Sequence, residues 1–359
     1  MTVYNGYLLI ADISGYTGYL TQSEMDHANP IIQSLLEALV SQVGEPMHLW
    51  RMEGDAVLAY STMDGFPSGE TFLLICENLY QAFAVRRLDI IQNTTCTCRA
   101  CVNVKNLDLK IVAHYGQFEQ MKVGPMTDIS GADVILVHRM AKTDVKQVTG
   151  VQSYALFSQP AYEAMGIQIP LLGYETRFEH FGNVSMRVYD LAKAWEKHRA
   201  MEAVLRVDED VVYSFRHALP VGPAVAWEFL TSPELKRRWM EMISMNVEND
   251  GRMGLGTRYH CIHEQASFRF RITDWRPFRY FSTQFQDPFN PHLGHAETYE
   301  LIPTENGVEL YYRMAPLMDD DGTRHVKEEE SLINVYKEFW PHVLSLLDEM
   351  VNDRFKGHA

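Results

Sequence analysis

The sequence LLIADISGYT, at Leu8–Thr17, joins an apolar run to a carboxylate and a tight turn. A second stretch, RMEGDAVLAY at Arg51–Tyr60, is similar, because Asp55 follows a glycine and precedes an alternating apolar strand. Paired carboxylates at the ends of buried strands offer the oxygen ligands that hard divalent cations prefer, and two such ions can serve an in-line displacement. Each aspartate alone is more typical of an ordinary turn, so the two stretches predict a metal site only in combination.

The composition argues against nucleic-acid-binding, membrane-spanning and disulfide-rich secreted proteins. The chain has 359 residues, enough for two domains, and a formal net charge of −15. We expect no nucleic-acid partner, because an acidic protein repels a polyanion. No apolar segment is long enough to span a bilayer, and the N-terminus lacks the features of a signal peptide. The five cysteines do not indicate a secreted disulfide framework, so a cytoplasmic protein is predicted.

The first half of the chain alternates between predicted strands and helices. Strands are predicted at Tyr4–Ile13, Met47–Met52, Asp55–Tyr60, Leu107–Tyr115, Phe118–Val123, Tyr174–Phe181 and Ser185–Leu191. Helices are predicted at Glu24–Val43, at Ser68–Ile91 with Ser68 as its N-cap, and within Asp128–Thr143. This order predicts an α/β sandwich with helices on one face of a largely antiparallel sheet.

These motifs resemble the catalytic domain of class III adenylate and guanylate cyclases, over residues 3 to 191. LLIADISGYT resembles the first metal segment of that family, and RMEGDAVLAY resembles the hairpin with the second metal carboxylate. The resemblance implies a ferredoxin-like α+β fold and a nucleoside triphosphate substrate, with ATP preferred. It also implies two Mg²⁺ or Mn²⁺ ions per site, bound by Asp12, Asp55 and the Ile13 carbonyl. Phosphate oxygens are then expected at the turn formed by Ser14, Gly15, Tyr16 and Thr17.

The resemblance also assigns the nucleotide end of the site. It implies that Arg51 and Asp128 contact the base and that Arg139 stabilises charge developing on the α-phosphate. The sequence departs from the family at two points: Ile135 replaces a ribose-orienting asparagine, and a phosphate-binding lysine is missing near Asn183. The alternative is therefore a catalytically silent pseudo-cyclase that binds nucleotide or another ligand. Because the family builds its site from two protomers, a homodimer is implied.

Three cysteines lie close together in the sequence TTCTCRACVN, at Cys96, Cys98 and Cys101. Three thiols within so few residues indicate a Zn²⁺ site, with Cys76 or His114 as the fourth ligand. The spacing differs from the paired motif of a zinc ribbon. The alternative is a reduced, cysteine-rich loop in a cytosolic protein.

The second half of the chain begins a new pattern. We predict a cyclase-like domain at 1–192, a charged helical linker at 193–205 and a second domain at 206–359. Its segments SPELKRRW, GLGTRYHC and ITDWRPFRYF resemble the START-like, SRPBCC superfamily, and an apolar stripe predicts a long helix at Lys327–Phe355. The resemblance implies a helix-grip fold, in which an antiparallel sheet surrounds a long C-terminal helix.

Folds of that kind bind a lipid or another hydrophobic small molecule. Aromatic side chains that could line such a tunnel, or simply fill the core, are Phe268, Phe270, Trp275, Phe281, Phe285 and Tyr299. The combined prediction is a signalling protein that couples a hydrophobic-ligand domain to a cyclase-like domain. A further alternative makes the second domain the enzyme, although no nucleophile–base pair in it supports this.

Overall fold

The computed structural model describes residues 3–62, 69–124, 126–200, 207–249, 252–264, 267–287, 290 and 292–356. The chain divides into two compact units, Met1–Ala200 and Met201–Ala359, and each contains one sheet with helices. The predicted α+β class is confirmed. The predicted cap Ser68 lies outside the described residues. Within the described ranges, no helix is both long and apolar enough to cross a membrane.

The first unit contains an eight-stranded sheet. Its strands are β1 (Val3–Ser14), β2 (His48–Glu53), β3 (Ala56–Tyr60), β4 (Asp108–Val123), β5 (Met126–Ser130), β6 (Tyr154–Ser158), β7 (Leu172–Phe178) and β8 (Gly182–Asp190). They run in the order β2-β3-β1-β4-β6-β8-β7, with β5 paired to β4. Only β4 and β6 are parallel among these described strands. The sequence predicted two strands where β4 is a single continuous strand.

Helices cover both faces of this sheet. They are α1 (Tyr16–Thr21), α2 (Met25–Val40), α3 (Gly69–Asn93), α4 (Arg99–Asn103), α5 (Ala132–Met140), α6 (Val145–Thr149), α7 (Gln159–Met165) and α8 (Leu191–Ala200). Tyr7 of β1 stacks on Phe72 of α3, whereas Leu8 belongs to the core that includes Val137 of α5. The prediction of helices on one face is wrong, because β1 is buried over six consecutive residues and needs cover on both sides.

The second unit contains another eight-stranded sheet. Its strands are β9 (Tyr213–Leu219), β10 (Ser244–Glu248), β11 (Arg258–Ile262), β12 (Ser267–Arg276), β13 (Tyr280–Gln286), β14 (Leu293–Thr304), β15 (Gly307–Met314) and β16 (Met318–Asp319). The order is β10-β11-β12-β13-β14-β15-β9, with β16 paired to β14. The helices are α9 (Pro223–Thr231), α10 (Pro233–Trp239) and α11 (Val326–Lys356). Helix α11 packs on the sheet, with Trp340 4.8 Å from the rings of both Phe215 and Tyr312.

Candidate functional site

Asp12 and Asp55 meet at one end of the β1–β3 pair. Asp12 lies near the end of β1, opposite Ala56 of β3, and Asp55 lies in the turn just before that residue. The Ile13 N–H donates to the Asp55 carbonyl oxygen at 3.3 Å, so the turn is fastened to β1. The two carboxyl groups are close enough that Asp12 contributes to the raised pKa of Asp55. The structure therefore brings together the two carboxylates that the sequence assigned to a metal.

The electrostatics of this pair are unusual for surface carboxylates. Burial, followed by the negative charge of Asp12, raises the pKa of Asp55 to about 6. Lys110 Nζ lies 3.1 Å from Asp12 Oδ2 and compensates part of the charge. One ammonium group beside two carboxylates leaves a net negative charge when both carboxylates are ionised. The atoms that could bind a metal ion here are all oxygens, which suits Mg²⁺ or Mn²⁺. The buried side chain of Ile13 leaves only its carbonyl as a ligand.

Sequence reasoning missed Lys110. This residue is directly opposite Asp12 in the β1–β4 pair, and its ammonium group also donates to the Ala141 carbonyl at 3.0 Å. A lysine within the apolar strand LDLKIVAHY is the signal that could reveal it, because buried lysines are rare unless paired. Tyr154 of β6 lies opposite Lys110, and burial together with the charge of Asp12 raises its pKa to about 12.

The turn at Ser14–Thr17 follows β1 and begins α1. Gly15 has a φ of 87°, and the Asn106 carbonyl oxygen lies 3.0 Å from the position that a Cβ would occupy. Glycine is therefore favoured here by both its backbone conformation and the available space. Ser14 and Tyr16 are partly buried, while Gly15 and Thr17 are exposed. The predicted phosphate turn thus lies beside the carboxylates in sequence and has solvent access.

Arg51 and Asp128, which the resemblance assigns to the base, form an ion pair. Arg51 Nη1 lies 3.1 Å from Asp128 Oδ2, and the guanidinium group also contacts Glu53. Trp50 was not predicted: its Nε1 donates to Asp128 Oδ1 at 2.6 Å, and the guanidinium carbon lies 4.2 Å from its ring centroid. Within one chain the guanidinium and the carboxylate therefore satisfy each other next to an aromatic face.

Arg139 and Ile135 lie one turn apart on the outer face of α5. Both are exposed, and Ile135 is exposed to 55%. Within the described residues of one chain, Arg139 forms no ion pair with either metal-site aspartate. Helix α5 approaches β2 through His138, whose ring meets Trp50 edge-on at 5.9 Å. The arginine predicted to stabilise transition-state charge is therefore exposed to solvent, on the helix whose His138 contacts Trp50.

A second cluster in the first unit consists of His27, Cys96, Cys98 and Cys101. Their ligand atoms all lie within 4.8 Å of one another. The predictions for the fourth ligand are wrong. Cys76 is buried in α3 and His114 Nδ1 is hydrogen-bonded to Ser158 Oγ at 2.7 Å, whereas the residue that lies with the three cysteines is His27. No local spacing could reveal His27, because it comes from a distant part of the chain.

The interior of the second unit contains a buried carboxylate, Glu297 of β14. Its donors, at 2.8 to 3.1 Å, are His295, Tyr299, Tyr312 and Tyr336. Burial opposes ionisation of Glu297, but the hydrogen bonds outweigh burial and lower its pKa. His295 Nδ1 and Trp340 Nε1 are among the buried polar atoms of this unit that have no hydrogen-bond partner in the described residues. This interior is more polar than the predicted apolar tunnel.

The predicted aromatic lining is mostly core. Trp275, Phe281, Phe285 and Tyr299 are buried, whereas Phe268 and Phe270 are partly buried. A groove of about 710 Å³ lies over the same sheet, and many of its lining side chains are polar or charged, including Arg258, His260, Arg269 and Arg271. The groove therefore differs in character from a tunnel for a lipid.

Comparisons with known proteins give one relative in sequence and several in structure. The profile of a family described as "Protein of unknown function (DUF2652)" matches residues 32–149. "Uncharacterized protein Rv2561/Rv2562" of Mycobacterium tuberculosis is 32% identical over 163 residues, 44% of this chain and 72% of that protein. The guanylyl cyclase Cya2 is similar over 52% of this chain and 92% of its own, with a TM-score of 0.40 and 11% identity. MLL2253 from Mesorhizobium loti is similar over 40% of this chain and 96% of its own, with a TM-score of 0.32 and 20% identity.

Proposed function

The chain belongs to the family of the mycobacterial protein Rv2561/Rv2562, and we propose that its first unit is a class III cyclase-like domain. It converts a nucleoside triphosphate, preferably ATP, to the 3′,5′-cyclic monophosphate and pyrophosphate. The contact between Asp12 and Asp55 carries the proposal, because the fold holds two carboxylates together and raises the pKa of Asp55 to about 6. Carboxylates held against their mutual repulsion are typical of functional sites.

The proposed ligands of two Mg²⁺ or Mn²⁺ ions are Asp12, Asp55 and the Ile13 carbonyl. Such ions, when bound, neutralise charge on phosphate oxygens and orient them. Lys110 Nζ pairs with Asp12 Oδ2 at 3.1 Å and so holds this carboxylate in position beside Asp55. The turn at Ser14–Thr17, in which Gly15 and Thr17 are exposed, receives phosphate oxygens.

The other residues of the proposed site bind the base or stabilise the charge that develops at the α-phosphate. The Arg51 guanidinium donates to the acceptor on the base, and Asp128 accepts from its amino group, with Trp50 beside them. Arg139 of one protomer stabilises charge at the α-phosphate bound by the other, because it is exposed and would reach a site across a two-fold interface. We accordingly propose a homodimer with two composite sites.

The second candidate function is that of a catalytically silent pseudo-cyclase domain. Ile135 favours it, because an isoleucine cannot orient a ribose. The Arg51–Asp128 pair also favours it, since each partner already satisfies the other at 3.1 Å. In that case the first unit binds nucleotide without turnover and transmits the state of the second unit.

We propose that the second unit binds a hydrophobic small molecule or lipid that carries a polar group, and that this occupancy regulates the first unit. The support is the pair of buried polar atoms, His295 Nδ1 and Trp340 Nε1, that lack hydrogen-bond partners among the described residues. A cytoplasmic location is proposed as well, because nucleoside triphosphates are available there and the cysteines are free.

Product analysis tests the proposed activity. Purified full-length protein is incubated with Mn²⁺ and, separately, with ATP, GTP, CTP and UTP, and the products are identified by liquid chromatography and mass spectrometry. We expect a cyclic monophosphate and an equal amount of pyrophosphate, formed fastest from ATP. Nucleotide binding without any cyclic product would establish the silent pseudo-cyclase instead. The absence of both binding and product would overturn the cyclase-like assignment.

A further inference from the structure

The cysteine–histidine cluster has the dimensions of a tetrahedral metal site. His27 Nδ1 lies 3.5 Å from the sulfur of Cys96, 3.3 Å from that of Cys98 and 3.5 Å from that of Cys101. With Zn–S bonds of about 2.3 Å and Zn–N bonds of about 2.0 Å, a tetrahedron places each nitrogen–sulfur pair about 3.5 Å apart. We infer that these four residues bind one structural zinc ion.

The chemistry of the four ligands selects the ion. Three thiolates and an imidazole suit zinc, whereas magnesium and calcium require oxygen ligands. A two-iron cluster divides its ligands between two metal atoms, so some ligands stand farther apart than the 4.8 Å limit observed for this set. Zinc binding releases the three thiol protons, and His27 coordinates as neutral imidazole with its remaining proton on Nε2.

The site is closed, as structural zinc sites are. The protein supplies all four ligands, so no position remains for a substrate or a reactive water. Cys98 also caps α4, because its sulfur accepts the Cys101 N–H at 3.5 Å. This hydrogen bond fixes the position of the Cys98 sulfur within the cluster.

The zinc ion would fasten two distant segments to each other. His27 is in the first turn of α2, and the cysteines precede and form α4, 69 to 74 residues later. The same contact includes Tyr19 OH, which donates to the Ala100 carbonyl, and a Glu24 oxygen that accepts the Ala100 N–H, both at 3.0 Å. Because α4 has only five residues, it cannot be stable alone, and zinc supplies the missing stabilisation.

Metal analysis of the full-length protein tests this inference. Protein purified without chelator is examined by inductively coupled plasma mass spectrometry, and a second sample is exchanged with Co²⁺ for absorption spectroscopy. We expect one zinc ion per chain, no stoichiometric iron, and the spectrum of tetrahedral Co²⁺ with thiolate ligands. Three outcomes would overturn the inference. The first is substoichiometric zinc combined with the absence of a tetrahedral Co²⁺ spectrum, the second is stoichiometric iron, and the third is a disulfide between these cysteines.

Variants identify the ligands. His27→Ala and Cys98→Ser are expected to retain about tenfold less zinc than the wild type after a mild chelator challenge. Cys76→Ala removes the cysteine in the buried part of α3, and His180→Ala removes an exposed histidine, so both serve as controls that keep one zinc ion. Full zinc in His27→Ala, or loss of zinc from Cys76→Ala, would contradict the ligand set. If a ligand variant does not fold, the Co²⁺ spectrum of the wild type still decides the question.

Discussion

At the scale of single residues, Asp55 combines a backbone contact to β1 with a carboxyl group whose pKa is raised to about 6. A backbone hydrogen bond holds its turn against β1, and its carboxyl group stands beside Asp12 in a half-buried place. Lys110 offsets only one of the two negative charges. The metal-free fold therefore contains a local repulsion, which is the expected cost of a preformed metal site.

The first prediction concerns Asp55→Asn and pH. The pKa of Asp55 is raised from 3.8 to about 6 in the folded state. Between about pH 4 and 6 the folded metal-free protein thus binds more protons than the unfolded chain, and its stability decreases as pH rises through this window. We expect Asp55→Asn to abolish that decrease and, at pH 7.5 without added divalent ions, to raise the Tm of the first unit by about 2–4 °C, or about 1 kcal/mol after solvent screening.

Differential scanning calorimetry at several pH values measures this effect. Glu163→Gln, an exposed change on α7, is the control and should follow the wild type. A Tm of Asp55→Asn equal to or below that of the wild type at pH 7.5 would show that the two aspartates do not repel each other in the fold.

The sequence reveals some site residues and not others for a physical reason. Asp12 and Asp55 could be predicted because each follows a local signal, an apolar run or a glycine turn. Lys110, Trp50 and His27 could not, because their roles come from strand register and from contacts between distant elements. Lys110 is at the site only because β4 pairs with β1 in one particular register.

At the scale of elements, α5 lies between the sheet and an exposed surface, and its His138 contacts Trp50 beside the Arg51–Asp128 pair. Its inner face is buried through Val134, Val137 and Met140, while Ile135 and Arg139 project outward. The sequence predicted this helix correctly from its apolar periodicity. It did not predict helices on both faces of the sheet, although the unbroken apolar run of β1 contains that information.

The second prediction concerns Arg139→Ala. Arg139 is exposed and unpaired among the described residues, so its removal leaves the fold intact. Loss of one group that stabilises transition-state charge is expected to lower kcat by about 10²–10³-fold with unchanged Mn²⁺ affinity. Rates of cyclic-product formation measure this effect, and Lys142→Ala, which removes an exposed cation near the same helix, is the control. An equal loss in both variants would indicate a general effect of charge.

The third prediction concerns Ile135→Asn. The side chain is exposed to 55%, so the amide is tolerated in the fold. The asparagine side chain supplies a hydrogen-bond donor at the position expected to orient the ribose, so kcat should rise by about tenfold or more. Val148→Asn, at a site exposed to 64%, is a matched control and should not change the rate. A rate for Ile135→Asn that does not exceed the control would remove this position from the proposed site.

At the scale of the whole molecule, each unit has its own sheet and its own candidate ligand site. Around the Arg51–Asp128 ion pair the first unit exposes large apolar side chains, including Met52 at 48% and Met121 at 39%. Together with the outward Arg139, this surface supports the proposed homodimer.

For the second unit, the sequence could not show whether the aromatic side chains line a cavity or fill the core. The reason is that aromatic and polar residues alternate along a strand in the same way in both cases.

The fourth prediction is complementation between two inactive variants. If each site combines Asp55 of one protomer with Arg139 of the other, a heterodimer of Asp55→Asn and Arg139→Ala chains contains one intact site. After random exchange of subunits, activity should recover to about a quarter of the wild-type value. Each variant incubated alone is the control. A mixture with no more activity than its components would argue for sites within single chains.

The central claim is that Asp12 and Asp55 hold a divalent metal ion, and the fifth prediction tests it. Full-length protein is titrated with Mn²⁺, with and without ATP, and free Mn²⁺ is measured by electron paramagnetic resonance. We expect saturable binding by the wild type that strengthens with ATP and with rising pH through about 6, as the Asp55 carboxyl ionises. Asp55→Asn should bind Mn²⁺ at least about tenfold more weakly, whereas Glu163→Gln should match the wild type. Equal Mn²⁺ affinity in the wild type and Asp55→Asn, or no binding by the wild type, would contradict the claim.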